Sequence, residues 1–143
     1  MYKRKMGLDY GDVRIGISIS DLMGIIANSY ETYTRLELEK DIKHIVDLIK
    51  LKEVDTVVIG LPINMNGTSG IRVDKTKEFA QKLSQYTDAK IVFLDERLTS
   101  VSAEKILINA DVRRENRKLY IDQVSASIIL QDYLDRMSKK INN

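Results

Sequence analysis

Cysteine is missing altogether from the 143 residues, which excludes both a disulfide framework and any thiolate metal site. The absence does not choose a compartment, since cytoplasmic and secreted proteins alike can lack the residue. Proline occurs once and glycine seven times, too few for a long unstructured linker, and no internal repeat or low-complexity stretch divides the chain. One domain, 1–143, is expected. No apolar run approaches the roughly 20 residues of a membrane span. The opening Met1-Tyr2-Lys3-Arg4-Lys5 is basic like a secretory leader, but Asp9, Asp12 and Arg14 interrupt the apolar core such a leader needs. A soluble cytoplasmic protein is the expectation. Charge of one sign is also scarce: 23 Lys and Arg stand against 21 Asp and Glu, a net +2. That balance permits nucleic-acid binding without arguing for it.

What is present suits a packed core, with 43% hydrophobic and 31% charged residues. Met6 to Tyr10 reads as a strand, and Arg14 to Ser20 alternates apolar with small or polar residues, so the two form a hairpin about Gly11-Asp12. Tyr30, Thr32 and Tyr33 favour a third strand within 25–34. Leu38, Ile42, Ile45, Val46 and Ile49 are spaced for a helix from Leu36 to about Lys52. The β-branched run at 55–60 is a buried strand, and the Asn- and Gly-rich stretch 61–70 is a loop. A helix over about 71–85, a strand over 90–95, a helix capped by Thr99 or Ser100 and running to about Ala110, and a last helix over about 118–137 complete the chain. The order βββαβαβαα predicts an α/β protein with a five-stranded mixed sheet and helices on both faces, which is the order of the ribonuclease H-like fold.

Several acids stand where acids are costly. Asp9 interrupts an apolar strand, Asp95 and Glu96 end the fifth strand, and Asp122 begins an apolar stripe made with Ala126, Ile129, Tyr133 and Met137. Each has a plainer reading: a turn acceptor for Asp9, a solvent exit paired with Arg97 for Asp95 and Glu96, a helix-dipole preference for Asp122. The dipole does not explain why Asp122 faces inward. If these acids meet, two carboxylates about 5 Å apart repel by roughly 3 kcal/mol at an effective dielectric near 20. Such a cluster raises its own pKa values or captures a cation. With no Cys and one His in the chain, the donors are hard oxygens, which select Mg²⁺ or Mn²⁺ over Zn²⁺.

Four stretches in order make the pattern specific. They are Gly7-Leu8-Asp9-Tyr10-Gly11-Asp12-Val13-Arg14-Ile15-Gly16 with Ser20-Asp21, then Gly60-Leu61-Pro62-Ile63-Asn64-Met65-Asn66-Gly67-Thr68, then Asp95-Glu96-Arg97-Leu98-Thr99, and finally Ile121-Asp122-Gln123 with Ile129-Leu130-Gln131. Together they resemble the YqgF/RuvX family over nearly the whole chain. That family is similar in fold to the RuvC resolvase, and its members are described as Holliday junction resolvases or as nucleases that mature pre-16S ribosomal RNA. The resemblance implies that Asp9, Glu96 and Asp122 are the metal-binding and catalytic acids, with Asp95 as the fallback for Glu96. It departs from the family pattern at Ser100 and Asn116, neither of which touches the acids.

The implied chemistry is phosphodiester hydrolysis with two Mg²⁺ ions roughly 4 Å apart, one activating water and the other stabilising the leaving 3′ oxygen. It needs no Ser, Cys or His nucleophile and leaves a 5′-phosphate. Arg14 is a candidate phosphate contact or a partner for Asp12 or Asp21. Asn64, Asn66 and Thr68 suit backbone approach to a phosphate, or belong to an ordinary loop. Arg72 lies in a basic stretch with Lys75 and Lys77. Arg97 pairs with a neighbouring acid or binds phosphate. Arg113, Arg114, Arg117 and Lys118 are a solvated connection or a nucleic-acid contact that confers affinity without sequence choice. His44 is expected on the surface. A phosphate loop is excluded because no Gly-Lys-Ser/Thr follows Gly11–Gly16. The sugar-kinase and actin-like group shares the sheet and an Asp-x-Gly turn but needs two domains to enclose ATP. A non-catalytic RNA- or DNA-binding module is the rival of another class. RNA is favoured as the partner on resemblance alone, branched DNA second. A homodimer stays open, because junction cleavage needs two opposed sites whereas cutting one RNA strand does not.

Overall fold

Strand alternation decides which layer each side chain joins. The computed structural model describes residues 2–63, 67, 70–98, 106–108, 110 and 113–142, with the backbone alone at 98, 114, 115, 118, 119, 141 and 142. Strands β1 (Arg4–Tyr10), β2 (Arg14–Ser20) and β3 (Ala27–Thr34) form an antiparallel meander, and β4 (Val54–Leu61) and β5 (Lys90–Asp95) extend it in parallel with β1. The sheet order is β3-β2-β1-β4-β5. Met6, Leu8 and Tyr10 of β1, Ile15, Ile17 and Ile19 of β2, and Val57 and Ile59 of β4 pack with helices α1 (Leu38–Lys52) and α2 (Ile71–Ser84). The opposite face carries Gly7 and Asp9, then Gly16 and Ser18, then Val58 and Gly60, and is covered by helix α3 (Arg114–Asn142). Helices on both faces of a five-stranded mixed sheet are the α/β architecture that the element order predicts.

α3 lies close to the sheet because the residues beneath it are small. Ser18 Oγ donates to the Ala126 carbonyl at 2.8 Å, and Ser29 Oγ donates to that of Gln123 at 3.3 Å. Farther along, Gln131 Oε1 accepts from Ala27 N at 2.8 Å while its Nε2 donates to the Ile25 carbonyl at 2.9 Å, which fixes the axial register of the helix. The buried stripe of α3 is Ala126, Ile129, Leu130 and Leu134, with Asp122 and Tyr133 only partly covered and Met137 exposed. The expected stripe through Met137 is therefore corrected. A 3.6-residue helix drifts off a strict repeat, and the buried line moves to 130 and 134.

Boundaries shift for identifiable reasons. β1 starts at Arg4, two residues early, because Arg4 and Lys5 pair with Val54 and Thr56 and Lys5 N donates to Ser20 Oγ at 2.8 Å. α1 starts at Leu38 and not at Leu36, because Glu37 before it is extended, with φ −107 and ψ 154, and stands at the N-cap. α3 is longer than expected at both ends, as 114–142 contains no Gly or Pro to stop it. The helix expected from 99 or 100 to 110 falls mostly outside the described residues, with 106–108 helical.

Candidate active site

Near the C-terminal edge of the parallel strands, where crossover sheets gather ligand chemistry, Asp9, Glu96 and Asp122 come near enough for the charges of the last two to act on Asp9. Asp9 lies opposite Gly16 in the β1–β2 register and takes the α3 face because its neighbours Leu8 and Tyr10 take the other. Glu96 follows β5 in a short 3-10 turn and leans over β4, where only a glycine leaves room. A Cβ on Gly60 would lie 3.0 Å from Glu96 Oε1 and 2.6 Å from Ile129 Cδ1. Asp122 sits in α3 directly above Gly16, whose missing side chain would collide with the Asp122 carbonyl oxygen. Three glycines (Gly7, Gly16 and Gly60) thus form the floor on which helix and acids rest. Strand-interior glycine often marks such close approach, and this was the signal in the sequence for a role that reading motifs as strings leaves out.

Electrostatics follow from this crowding. Burial, then the charges of Glu96 and Asp122, push the Asp9 carboxyl up from 3.8 to about 7, with Arg72 opposing. Burial also raises Glu96, helped by Asp95 and opposed by Arg72. Asp95 behaves oppositely. Its two oxygens accept from Arg97 Nε and Nη2, the shortest bond being 2.6 Å, and these bonds hold its carboxyl below the usual range. Asp122 Oδ2 accepts from Arg14 Nε at 2.8 Å.

A family model described as "RuvX: Holliday junction resolvase" matches residues 3–136. The chain belongs to the RuvX family. A relative from Halothermothrix orenii named "Putative pre-16S rRNA nuclease" is 47% identical over 95% of this chain and 97% of its own length. A relative of the same name from Clostridioides difficile is 47% identical over 92% and 94%. Among solved structures, RuvC of Thermus thermophilus in complex with a Holliday junction superposes with a TM-score of 0.61 at 8% identity, covering 95% of this chain and 96% of that one. The fowlpox virus resolvase complexed with Holliday junction DNA gives 0.59 at 9% identity, covering 94% and 98%. At such identities the likeness is one of fold, the ribonuclease H-like fold.

Within this RuvX chain the donor set suits a hard divalent ion. It consists of carboxylate oxygens, one of them, Asp9, destabilised in its charged form by its neighbours. Among the described residues no three acids or imidazoles are grouped to enclose an ion, and the Asp122 carboxylate is engaged by Arg14. Arg72 is exposed on the first turn of α2, near enough for its charge to act on both Asp9 and Glu96. Arg97 is occupied with Asp95, and a Cβ at Gly67 would lie 3.6 Å from Arg97 Nη1, so Gly67 lies beside it. Arg113 is exposed, Arg117 is partly buried, and Arg114 and Lys118 belong to the start of α3 with side chains outside the described residues. Asn64, Asn66 and Thr68 lie outside the described residues altogether.

Two expected partners of Arg14 are corrected. Asp12 pairs with Lys75 at 3.5 Å, and Asp21 caps its own loop by accepting from Ile25 N and Ile26 N. His44 is not a bare surface residue either: it stacks on Tyr33 and meets Glu31 at 2.7 Å. A further element absent from the sequence reading is Asp41, fully buried, which accepts from Tyr33 Oη, Arg35 Nε and Leu36 N. Arg35 in turn donates through Nη1 to the Gly11 carbonyl at 3.0 Å and so ties the turn after Asp9 to α1.

Proposed function

We propose that this RuvX protein is a divalent-metal-dependent endonuclease, one nuclease domain over 1–143, that hydrolyses phosphodiester bonds in cytoplasmic RNA and matures the 5′ end of pre-16S rRNA. The observation that carries the reading is the placing of Asp9, Glu96 and Asp122 near one sheet edge, where burial and then the charges of Glu96 and Asp122 raise Asp9 to about 7. Asp9, Glu96 and Asp122 are assigned as the residues that would hold Mg²⁺ or Mn²⁺. When bound, the ions supply Lewis-acid activation of water and charge stabilisation at the leaving oxygen. Asp95, locked to Arg97, shapes the turn that aims Glu96. Arg14, Arg72 and the basic start of α3, with Arg113 and Arg117, are assigned to the phosphates of the strand, joined by Arg114, Lys118, Asn64, Asn66 and Thr68 on sequence grounds.

The name shared by relatives at 43–47% identity supports RNA as the substrate. A second reading, resolution of branched DNA by a homodimer, is favoured by the family description and the junction-bound fold neighbours. Cleavage of a labelled pre-16S fragment and of a four-way DNA junction, at equal enzyme with Mg²⁺ and with EDTA, separates the two. Metal-dependent cutting of the RNA with a 5′-phosphate product is expected, and retention of both substrates uncut but bound would leave a binding module.

Two further results follow. Because Asp9 must lose its proton to receive a cation, Mg²⁺ affinity measured by calorimetry weakens about tenfold per pH unit below 7 and levels off above it. A flat profile between pH 5.5 and 8.5 would contradict the assignment. Glu96→Gln lowers the cleavage rate at least a hundredfold, about 3 kcal/mol of transition-state stabilisation. Asp95→Asn costs less than about tenfold, because it disturbs only the turn. Equal losses in single-turnover assays would show that the two acids share the role.

A further inference from the structure

The Asp122 carboxylate is in contact with a cationic side chain. Arg14 Nε lies 2.8 Å from its Oδ2, across 108 residues of sequence. The pairing is built in: Arg14 opens β2 two residues before Gly16, so the pleat directs both to the α3 face, and α3 rests on Gly16 at Asp122 itself. The pair is nevertheless easy to open. Arg14 is 50% exposed and Asp122 23%, and Nε makes a single contact in place of the two-pronged fork that guanidinium offers a carboxylate or phosphate. Exposed pairs of this kind are worth little net stability.

We propose that Arg14 gates metal binding: its guanidinium and the divalent ion compete for the Asp122 carboxylate, and a phosphate of the bound strand draws Arg14 away, so that metal and nucleic acid load cooperatively. The inference rests on Asp122 being a metal ligand, as assigned above. A dication coordinated by Asp122 Oδ2 would sit close to the guanidinium that donates to the same oxygen, and the repulsion between the two positive groups weakens its binding there. A backbone phosphate accepts the same guanidinium through two oxygens, which makes it the stronger anchor. Coupling is reciprocal by thermodynamic necessity: a strand that tightens metal binding is itself bound more tightly in metal.

The test is Mn²⁺ binding to the intact chain, by calorimetry without nucleic acid, for wild type, Arg14→Gln, Arg72→Gln and Asp122→Asn. Arg14→Gln binds Mn²⁺ about three- to tenfold tighter than wild type. Arg72→Gln also removes one positive charge near Asp9 and Glu96 but breaks no bond to Asp122, so its gain is smaller. A gain in Arg14→Gln no larger than that in Arg72→Gln overturns the gate. With a 12-nucleotide phosphorothioate RNA present, Mn²⁺ binding tightens by a larger factor in wild type than in Arg14→Gln, and equal factors also overturn it. Asp122→Asn guards the premise: if it binds Mn²⁺ as wild type does, the ligand assignment itself fails and the gate fails with it.

Discussion

Replacing Asp9 by Asn is expected to abolish metal-dependent cleavage and, in the same protein without metal, to raise stability at pH 8. Both effects come from one cause. The folded environment lifts the Asp9 carboxyl from 3.8 to about 7, so between those values the folded state binds a proton that the unfolded chain has released. Stability therefore falls as pH rises through that window, and the full penalty stands above about pH 7. Three pH units correspond to at most about 4 kcal/mol, reduced by whatever water and salt reach the partly covered group. Asn carries no charge and escapes the penalty, while the site loses a ligand. Urea denaturation in EDTA at pH 5 and pH 8 is the check. Wild type loses stability between them, and Asp9→Asn loses markedly less. An Asp9→Asn protein that cuts in Mg²⁺, or one whose pH dependence matches wild type, would remove Asp9 from the centre of the site. Such a cost is what the metal-ligand assignment proposed above leads one to expect of a functional carboxylate.

The second large effect belongs to a residue with no side chain. Gly16→Ala places a methyl against the Asp122 carbonyl oxygen, with Gln123 N at 3.0 Å. Both obstacles are helix backbone, which cannot rotate aside as a side-chain tip can. α3 must lift, at about 1–3 kcal/mol for overpacking of this sort. The lift carries Asp122 with it, and a displacement near 1 Å can cost about a hundredfold in rate. Gly60→Ala meets flexible ends instead, Ile129 Cδ1 at 2.6 Å and Glu96 Oε1 at 3.0 Å, so it costs less stability but still disturbs Glu96. Gly24→Ala serves as the contrast: its nearest neighbour, Leu134 Cδ2, is 4.0 Å away, leaving only the strain of φ +70, about 1 kcal/mol. Thermal denaturation and single-turnover cleavage of the three should order activity as Gly24 above Gly60 above Gly16. Full activity in Gly16→Ala would mean that the position of α3 over β2 does not matter to the chemistry.

Periodicity made the sheet and its helices legible. Ile15, Ile17 and Ile19 face one layer while Gly16 and Ser18 face the other, and a two-residue period in the sequence states as much. Asp9 and Asp122 stood out because each breaks such a pattern. The different settings of Asp95 and Glu96 were not legible, because they depend on an Arg97 that folds back on Asp95 and on the room above Gly60. Nor could spacing reveal that Arg14 meets Asp122 and not a nearby acid, since the partner arrives on a helix 108 residues later. The Asp41 hub escaped for a related reason. On a helical wheel its acid looks like one more first-turn carboxylate, and only the returning Tyr33 and Arg35 make it a buried acceptor.

The clasp made by Gln131 on the start of β3, described above as fixing the register of α3, has a consequence for timing. Asp9 lies on the first strand and Asp122 on the last helix, so the helix that brings Asp122 must find strands made at the outset. Long-range closure of this type is slow relative to local structure. On the assignment proposed above, a chain whose last helix has not yet seated lacks one of the three acids and is expected to be inactive. Metal-dependent cleavage, on the same assignment, would then track the seating of α3.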